Sequence, residues 1–437
     1  MNFISRLQPQ TPVSLRTALF SGLAPDGGLY LPAAHPDLAG LFAAFDDASG
    51  FGEIAAATTA ALLAPEIDDA AAQRIAARAF AFAPSLRRLD DHRLLLELFH
   101  GPTCAFKDFG AQFLAAAMEE LLGGERCQIL VATSGDTGSA VAHAFHGRRG
   151  IDVVILYPSG RVSPLQEQQL TTLGGNVHAV EVGGSFDDCQ RLVKTAFQDQ
   201  RLRRALRLTS ANSINIGRLL PQSFYYVYAA SQRALLRPAL PRFCVPSGNL
   251  GNITAGLYAW KWGLPVRGFL AATNINDIVP AYLSSGLYSP RPSQPTLSNA
   301  MDVGNPGNFE RLEALFPGGW QEMRRMVSGA AVSDARTLQT IREIHVQHGL
   351  LVDPHTAVGC AAAADFLTRA GRAAAAEQVV ILATAHPGKF AATVEQATGV
   401  VPEIPDRLAR CLALPKRATP LQPQLPELAR FLLDRFA

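Results

Sequence analysis

Phe99-His100-Gly101-Pro102-Thr103-Cys104-Ala105-Phe106-Lys107-Asp108-Phe109-Gly110 is the stretch whose reading decides how the rest of the chain is understood. A short apolar run, Leu94-Leu95-Leu96-Glu97-Leu98, precedes it and predicts a buried strand. Phe109, Phe113, Leu114, Met118, Leu121 and Leu122 follow at a spacing that puts most of them on one face of a helix. Lys107 therefore falls where an ammonium is poorly solvated, next to the positive end of a helix dipole. Both effects disfavour the charged form. A neutral amine is what Schiff-base chemistry with an aldehyde cofactor requires. The bland reading is a surface lysine at a helix end, paired with Asp108.

Lysine is scarce, which narrows the search. Lys107, Lys194, Lys261, Lys389 and Lys416 are the only lysines among 39 basic residues. Lys194 falls in an amphipathic helical pattern and Lys416 in a proline-punctuated tail. Lys261 lies between two tryptophans, where its stem would snorkel over aromatic rings.

Outward from this stretch, strand-like runs alternate with helix-like runs. Leu94–Leu98, Gln128–Ala132, Val153–Tyr157, Val177–Val182, Phe243–Val245, Val266–Leu270 and Val379–Ala383 are short and apolar. Most are separated by segments of helical spacing; Ser163-Pro164-Leu165-Gln166 combines an N-cap, a proline at the first helical position and a capping-box glutamine. Such alternation predicts an α/β architecture with mostly parallel sheets. Residues 1–88 differ in character, with helical patterns around 52–63 and 68–82 and a short strand near Leu29-Tyr30-Leu31. The segment 284–308 lacks periodicity and predicts a long loop, and a final amphipathic helix is expected over Leu425–Phe436.

Bulk properties exclude several classes. With 48% hydrophobic and 17% charged residues, the 437-residue chain reads as two or more compact domains rather than a disordered chain. A net charge of +2 leaves no footprint for nucleic acid. The six cysteines are widely spaced, without a CxxC pair or a Cys/His metal grouping, and fit reduced thiols; no metal is expected. No signal-peptide pattern or membrane-length apolar run is present, so a cytoplasmic protein is expected.

Ligands of open parallel sheets bind beyond the carboxyl ends of the strands. The unusual segments all follow strand-like runs: the Lys107 stretch, Thr133-Ser134-Gly135-Asp136-Thr137-Gly138, Ser247-Gly248-Asn249-Leu250-Gly251-Asn252, and Thr384-Ala385-His386-Pro387-Gly388. Four such loops on one rim read as one site. Gly248 to Asn252 has the makings of an anion cradle, since its glycines permit close backbone approach and a helix starts directly after it. It matches neither the Walker loop nor the GxGxxG pattern. Ser134 to Gly138 is a second backbone nest at a helix N-terminus, fit to hold a carboxylate. Taken singly, each loop is also compatible with an ordinary glycine-rich or Ser/Thr-capped helix start.

Together these segments resemble the threonine synthase family of fold-type II pyridoxal-phosphate enzymes, a group shared with the tryptophan synthase β-subunit and the threonine dehydratases. Further matches are Leu23-Ala24-Pro25-Asp26-Gly27-Gly28-Leu29, Asn212-Ser213-Ile214-Asn215 with Arg218, Asp302-Val303-Gly304-Asn305-Pro306, Asp353-Pro354-His355-Thr356 and Ala383-Thr384-Ala385-His386-Pro387. The resemblance implies open, mostly parallel twisted sheets with helices on both faces, plus an additional N-terminal segment. The division it implies is a helix-rich domain over 1–88, a large cofactor-binding domain over 89–126 and 210–437, and a smaller α/β domain over 127–209.

What the resemblance implies for the site is carried residue by residue. Lys107 would bond pyridoxal 5'-phosphate and then move protons. Gly248, Asn249, Leu250, Gly251 and Asn252 would hold the cofactor phosphate, Thr384 would bond the pyridine nitrogen, and Asp136 would lie beside the cofactor. Thr103, Ser134, Gly135 and Thr137 would bind substrate, and Asn212 and Arg218 would take its phosphate. The implied reaction turns O-phospho-L-homoserine and water into L-threonine and phosphate, the work of a carbon–oxygen lyase acting on phosphates. The implied protein is a monomer or homodimer. Asp136 departs from the Asn common in the wider group, so it must be protonated, turned away or facing another donor. Cys104 replaces an expected aliphatic residue and reads as small apolar filler. The alternatives are a phospho-lyase or a serine/threonine dehydratase yielding a 2-oxo acid, and a catalytically silent protein that keeps the fold.

Overall fold

Leu94 and Leu96 enter one apolar core while Leu95 between them enters another, so this strand has no wet face. Val380 and Leu382 against Val379 and Ile381 repeat the pattern, as do Ile129 and Val131 against Leu130 and Ala132. The computed structural model describes all residues except Ser134, Arg237, Pro238 and 372–376. In chain order its strands are β1 (Phe3–Ser5), β2 (Tyr30–Pro32), β3 (Ser85–Arg88), β4 (Arg93–Glu97), β5 (Cys127–Ala132), β6 (Ile151–Pro158) and β7 (Val177–Val182). They continue as β8 (Leu208–Thr209), β9 (Arg242–Pro246), β10 (Gly268–Thr273), β11 (Val327–Ala331), β12 (Val379–Ala383) and β13 (Ala418–Leu421).

Two sheets carry the architecture. One has six strands in the order β11-β10-β9-β12-β4-β3, parallel except for the β3–β4 pair. The other has five in the order β13-β7-β6-β5-β8, all parallel. Their inner faces share one apolar core; helices Asp334–His348 and Pro354–Ala370 cover the outside of the first, and Phe186–Gln198 with Leu425–Phe436 cover the second. Helices thus pack on both faces of parallel sheets, as expected. β1 and β2 form a separate antiparallel pair.

Several boundaries differ from the expectation for physical reasons. The expected helix over 68–82 ends at Ala79, because Phe80 and Phe82 leave it to meet Phe51 and Phe109 with ring centroids 5.0 and 4.9 Å apart. The strand expected at Val266–Leu270 instead spans Gly268–Thr273. Helix Lys107–Leu121 is buried on every side from Asp108 to Met118, not on one face, because alanines fill the positions between its large side chains. β13 lies in the tail that the sequence reading grouped with 210–437, yet it pairs with β7 of the five-stranded sheet. The six cysteines are all buried and unbridged. Among the described residues, no helix is long and apolar enough to cross a membrane, and no cluster of side chains suits a metal ion.

Candidate active site

β9, β12 and β4 are neighbours in the six-stranded sheet, and their parallel carboxyl ends open on a cavity of about 660 Å³. Three of the four loops singled out above leave from these ends. The fourth, after β5, belongs to the other sheet and faces them across the cavity through Asp136 and Thr137. The four loops therefore form one site, but from two rims rather than one.

Lys107 is the first residue of its helix and lines this cavity. Burial drives its amine below the ordinary lysine range, and Lys389 and Arg218 push the same way, while Asp136 opposes them. Asp108 is not its partner. That carboxyl turns into the protein, accepting from the Thr103 amide at 2.9 Å and the Thr103 hydroxyl at 2.7 Å. Lys107 Nζ lies 3.3 Å from Asp136 Oδ2 instead.

Asp136 faces other donors, which settles the question its presence raised. Lys389 Nζ stands 2.7 Å from Asp136 Oδ1, and the Gln166 amide donates to the same oxygen at 3.0 Å. Burial alone would raise this carboxyl; the two lysines and Gln166 overcome it and hold it well below the usual carboxylate range. Ser163 caps its helix as expected and Pro164 follows, but the Gln166 side-chain amide goes to Asp136. Lys389 and Gln166 reach the site through Asp136, and the sequence gives neither of them a role there.

The turn after β9 has the form of an anion cradle. Leu250 adopts the left-handed conformation with φ 62° and ψ 0°, and Gly251 then opens helix Gly251–Lys261, so successive amides converge. A branched side chain rarely accepts that conformation; here Leu250 is held because its side chain is buried in the shared core. Gly248 fits because the backbone of Met301 and Ala300 crosses directly over it; an added Cβ would lie 2.8 Å from Met301 Cα. Asn249 braces the turn, donating to Ser213 Oγ at 2.9 Å and accepting from the Gly307 amide. Asn252 is aimed by Tyr225 and Tyr226, whose hydroxyls each donate to its Oδ1 at 2.7 Å.

The other expected residues are placed unevenly. Thr384 lines the cavity, its amide donating to Thr356 Oγ1 at 3.2 Å and its carbonyl accepting from the Phe106 amide at 2.9 Å. Arg218 lines it too, fully buried, with Nη1 donating to the Ala211 carbonyl at 2.8 Å. Burial draws its guanidinium down to about 10. Asn212 is not among the cavity's lining residues; Ser213 beside it is. Thr103 is buried beneath the loop with its hydroxyl committed to Asp108 and its carbonyl accepting from Lys389 at 2.9 Å, so it braces the Lys107 loop instead of reaching the cavity. Gly135 precedes the Asp136 helix with φ 148° and accepts and donates hydrogen bonds with Thr133 Oγ1. Ser134 lies outside the described residues.

Comparison with known proteins shows the family. A family profile described as a pyridoxal-phosphate dependent enzyme matches residues 82–385, and profiles of the threonine synthase N terminus and C-terminal region match residues 2–80 and 356–432. The threonine synthase of Haemophilus influenzae is 41% identical over 433 residues, spanning 99% of this chain and 100% of its own. The chain belongs to the threonine synthase family. Threonine synthase of Escherichia coli is 42% identical over 424 residues, 97% of each chain, and its crystal structure superposes with a TM-score of 0.89 over 99% of this chain and 100% of that one. A pyridoxal-phosphate-bound threonine synthase from Brucella melitensis superposes with a TM-score of 0.91 at 36% identity, over 100% and 99% of the two chains.

The family cofactor fits the residues present. Nδ2 of Asn252 and Nε of Arg218 are buried donors without a hydrogen-bond partner among the described residues. Buried polar groups are normally paired, so unpaired donors on residues that line the cavity are what a ligand's acceptors would satisfy. Two such donors on two elements suit a site that holds more than one anion.

Proposed function

We propose that the chain converts O-phospho-L-homoserine and water into L-threonine and phosphate. The observation that carries this reading is a largely desolvated Lys107 amine, its charged form disfavoured, in a cavity whose lining residues carry unpaired donors on two elements, in a chain related to threonine synthases over its whole length. When bound, pyridoxal phosphate supplies an electron sink for carbanion chemistry. The protein supplies the rest. Lys107 would hold the cofactor aldehyde, and its amine would carry protons to and from the substrate carbon chain. Gly248, Asn249, Leu250, Gly251 and Asn252 cradle the cofactor phosphate through amide hydrogens and the Asn252 carboxamide. Thr384 would present a neutral hydroxyl to the pyridine nitrogen, and Asp136 stays the acceptor for the Lys389 ammonium. Amides around Gly135 and Thr137 receive the substrate carboxylate, and Arg218 takes its phosphate, a geometry that suits a guanidinium.

The division into 1–88, 89–126 with 210–437, and 127–209 belongs to the same proposal, amended so that Ala418–Phe436 goes with the smaller unit, whose sheet and outer face it completes. We further infer a cytoplasmic monomer or homodimer that binds no nucleic acid, in line with the net charge of +2; light scattering on the eluting protein gives the assembly state. The activity test is direct. Purified protein with pyridoxal phosphate should release threonine and phosphate in equal amounts from O-phospho-L-homoserine, and Lys107→Ala should abolish both. Formation of 2-oxobutyrate in place of threonine would overturn the reading in favour of a phospho-lyase.

A further inference from the structure

Lys389 occupies the turn Pro387–Phe390 that follows β12, and its side chain is wholly buried. An ammonium taken out of water needs acceptors. This one has two: Asp136 Oδ1 at 2.7 Å and the Thr103 carbonyl at 2.9 Å. Asp136 is thus gripped on one oxygen by Lys389 and approached on the other by Lys107 at 3.3 Å. One carboxylate between two lysine amines can compensate one positive charge, not two. The shorter contact assigns that charge to Lys389.

We propose that Lys389 is a positioning residue for Lys107: by occupying the Asp136 carboxylate, it removes the negative charge that would otherwise fix a proton on the Lys107 amine. The inference rests on Lys107 being the reactive amine of the proposed function. Other charges facing this pair act weakly or in the same direction. Arg218, on helix Ile216–Leu219, adds positive potential at Lys107. Asp108, Cys104 and His143 also face Lys389; Asp108 is spent on Thr103, burial keeps the Cys104 thiol raised, and burial keeps His143 low. Without Lys389, Asp136 would have Lys107 as its remaining cationic partner. The amine would then hold its proton to a higher pH.

The test reads the Lys107 amine itself, in the full-length protein stripped of cofactor, by pH-dependent competitive acetylation and peptide mapping. Lys389→Met should raise its titration midpoint by about one unit or more, which cuts the neutral fraction about tenfold at a given pH below the midpoint. Lys389→Arg should hold it near the wild-type value. The double variant Lys389→Met/Asp136→Asn should also return it there, because both members of the compensating pair are gone. In the cofactor-loaded enzyme, the acidic limb of the kcat/KM profile should move with the same sign in Lys389→Met. A midpoint in Lys389→Met within about 0.3 unit of the wild type would overturn the proposal, as would a double variant that stays with the single one. Should Lys389→Met fail to fold, Asp136→Asn alone decides: the midpoint must fall, and an unchanged one refutes the account. Variants that show these shifts, beside a wild type that makes no threonine, would sink the functional reading and leave this one standing.

Discussion

Asn252 offers a clean test of how the cradle is built. Its Oδ1 accepts two tyrosine hydroxyls, from Tyr225 and Tyr226, each at 2.7 Å, which leaves Nδ2 as a buried donor with no partner among the described residues. All three side chains are buried, and replacing tyrosine with phenylalanine removes one oxygen atom without opening a cavity. A single hydroxyl lost should lower stability by about 1 kcal/mol, the net worth of one such hydrogen bond, because the other still satisfies Oδ1. Losing both leaves a buried carboxamide oxygen with no donor, a penalty of about 1–3 kcal/mol on top of the bonds themselves. The double variant Tyr225→Phe/Tyr226→Phe should therefore be less stable than the sum of the two singles. Function should follow the same curve: with one hydroxyl the amide stays oriented and pyridoxal phosphate binds within about threefold of the wild type, whereas with none the amide can turn over and affinity drops about tenfold, equivalent to about 1.4 kcal/mol. Chemical denaturation of the cofactor-free protein and absorbance titration with pyridoxal phosphate measure the two quantities. A double variant whose losses merely add, in both assays, would show that the tyrosines do not set the orientation of Asn252.

Three further outcomes follow from named contacts. Gly248→Ala puts a methyl 2.8 Å from Met301 Cα and 3.1 Å from the Ala300 carbonyl, both backbone, so overpacking should lower stability by about 1–3 kcal/mol and weaken cofactor binding; a variant that binds pyridoxal phosphate as tightly as the wild type would show that the 298–303 segment yields freely. Arg407 donates to the His100 and Phe99 carbonyls at 2.6 and 3.3 Å and to Cys104 Sγ at 2.9 Å, steadying a loop in which Cys104 holds φ 56°; because this guanidinium is exposed, Arg407→Gln should cost less than about 1 kcal/mol of stability while kcat falls several-fold, and an unchanged kcat would count against the role. Burial lowers His143 from 6.5 to about 4, so between those values the unfolded chain binds a proton that the folded chain refuses, and stability falls as pH drops through the window and levels off below it; His143→Leu should flatten the melting-temperature loss from pH 6.5 to 5, and an identical slope would refute the assignment.

How much of this was legible depended on whether the deciding contact was local. Lys107 was visible because strand, loop and helix lie within one short stretch, and their order alone predicts a desolvated amine. The cradle was visible for the same reason. Lys389 was not, since nothing near it in the chain announces Asp136, its partner on the other sheet's loop. Gln166 shows a local rule modified: the capping pattern is present, but its carboxamide oxygen accepts from the Ser163 hydroxyl at 3.0 Å while its NH2 makes a charge-assisted hydrogen bond to the buried Asp136 carboxylate. The Thr103 hydroxyl is likewise taken by buried Asp108. β11 escaped notice because Val327-Ser328-Gly329-Ala330-Ala331 is nearly devoid of β-branched residues; Pro280 packs so close that a Cβ on Gly329 would lie 2.8 Å from its Cα.

The tail carries the strongest case of information spread over distance. Its prolines predict no strand before the final amphipathic helix, and Pro420 within β13 fits only because that strand is the edge of its sheet. Yet Leu428, Ala429 and Leu432 complete the outer core of the five-stranded sheet, while Arg407, on helix Asp406–Leu412, grips the loop that delivers Lys107 from the six-stranded sheet. Between the two attachments, Lys416 bridges Glu167 and Glu181 at 2.8 Å each, and the Arg417 amide bonds the Thr171 carbonyl at 2.9 Å. A segment that lines no part of the cavity is therefore fastened both to the loop that presents the Lys107 amine and to the sheet that presents Asp136. The distance between Lys107 and its carboxylate partner is a property of the whole chain, set as much by its last thirty or so residues as by the motif that first drew attention.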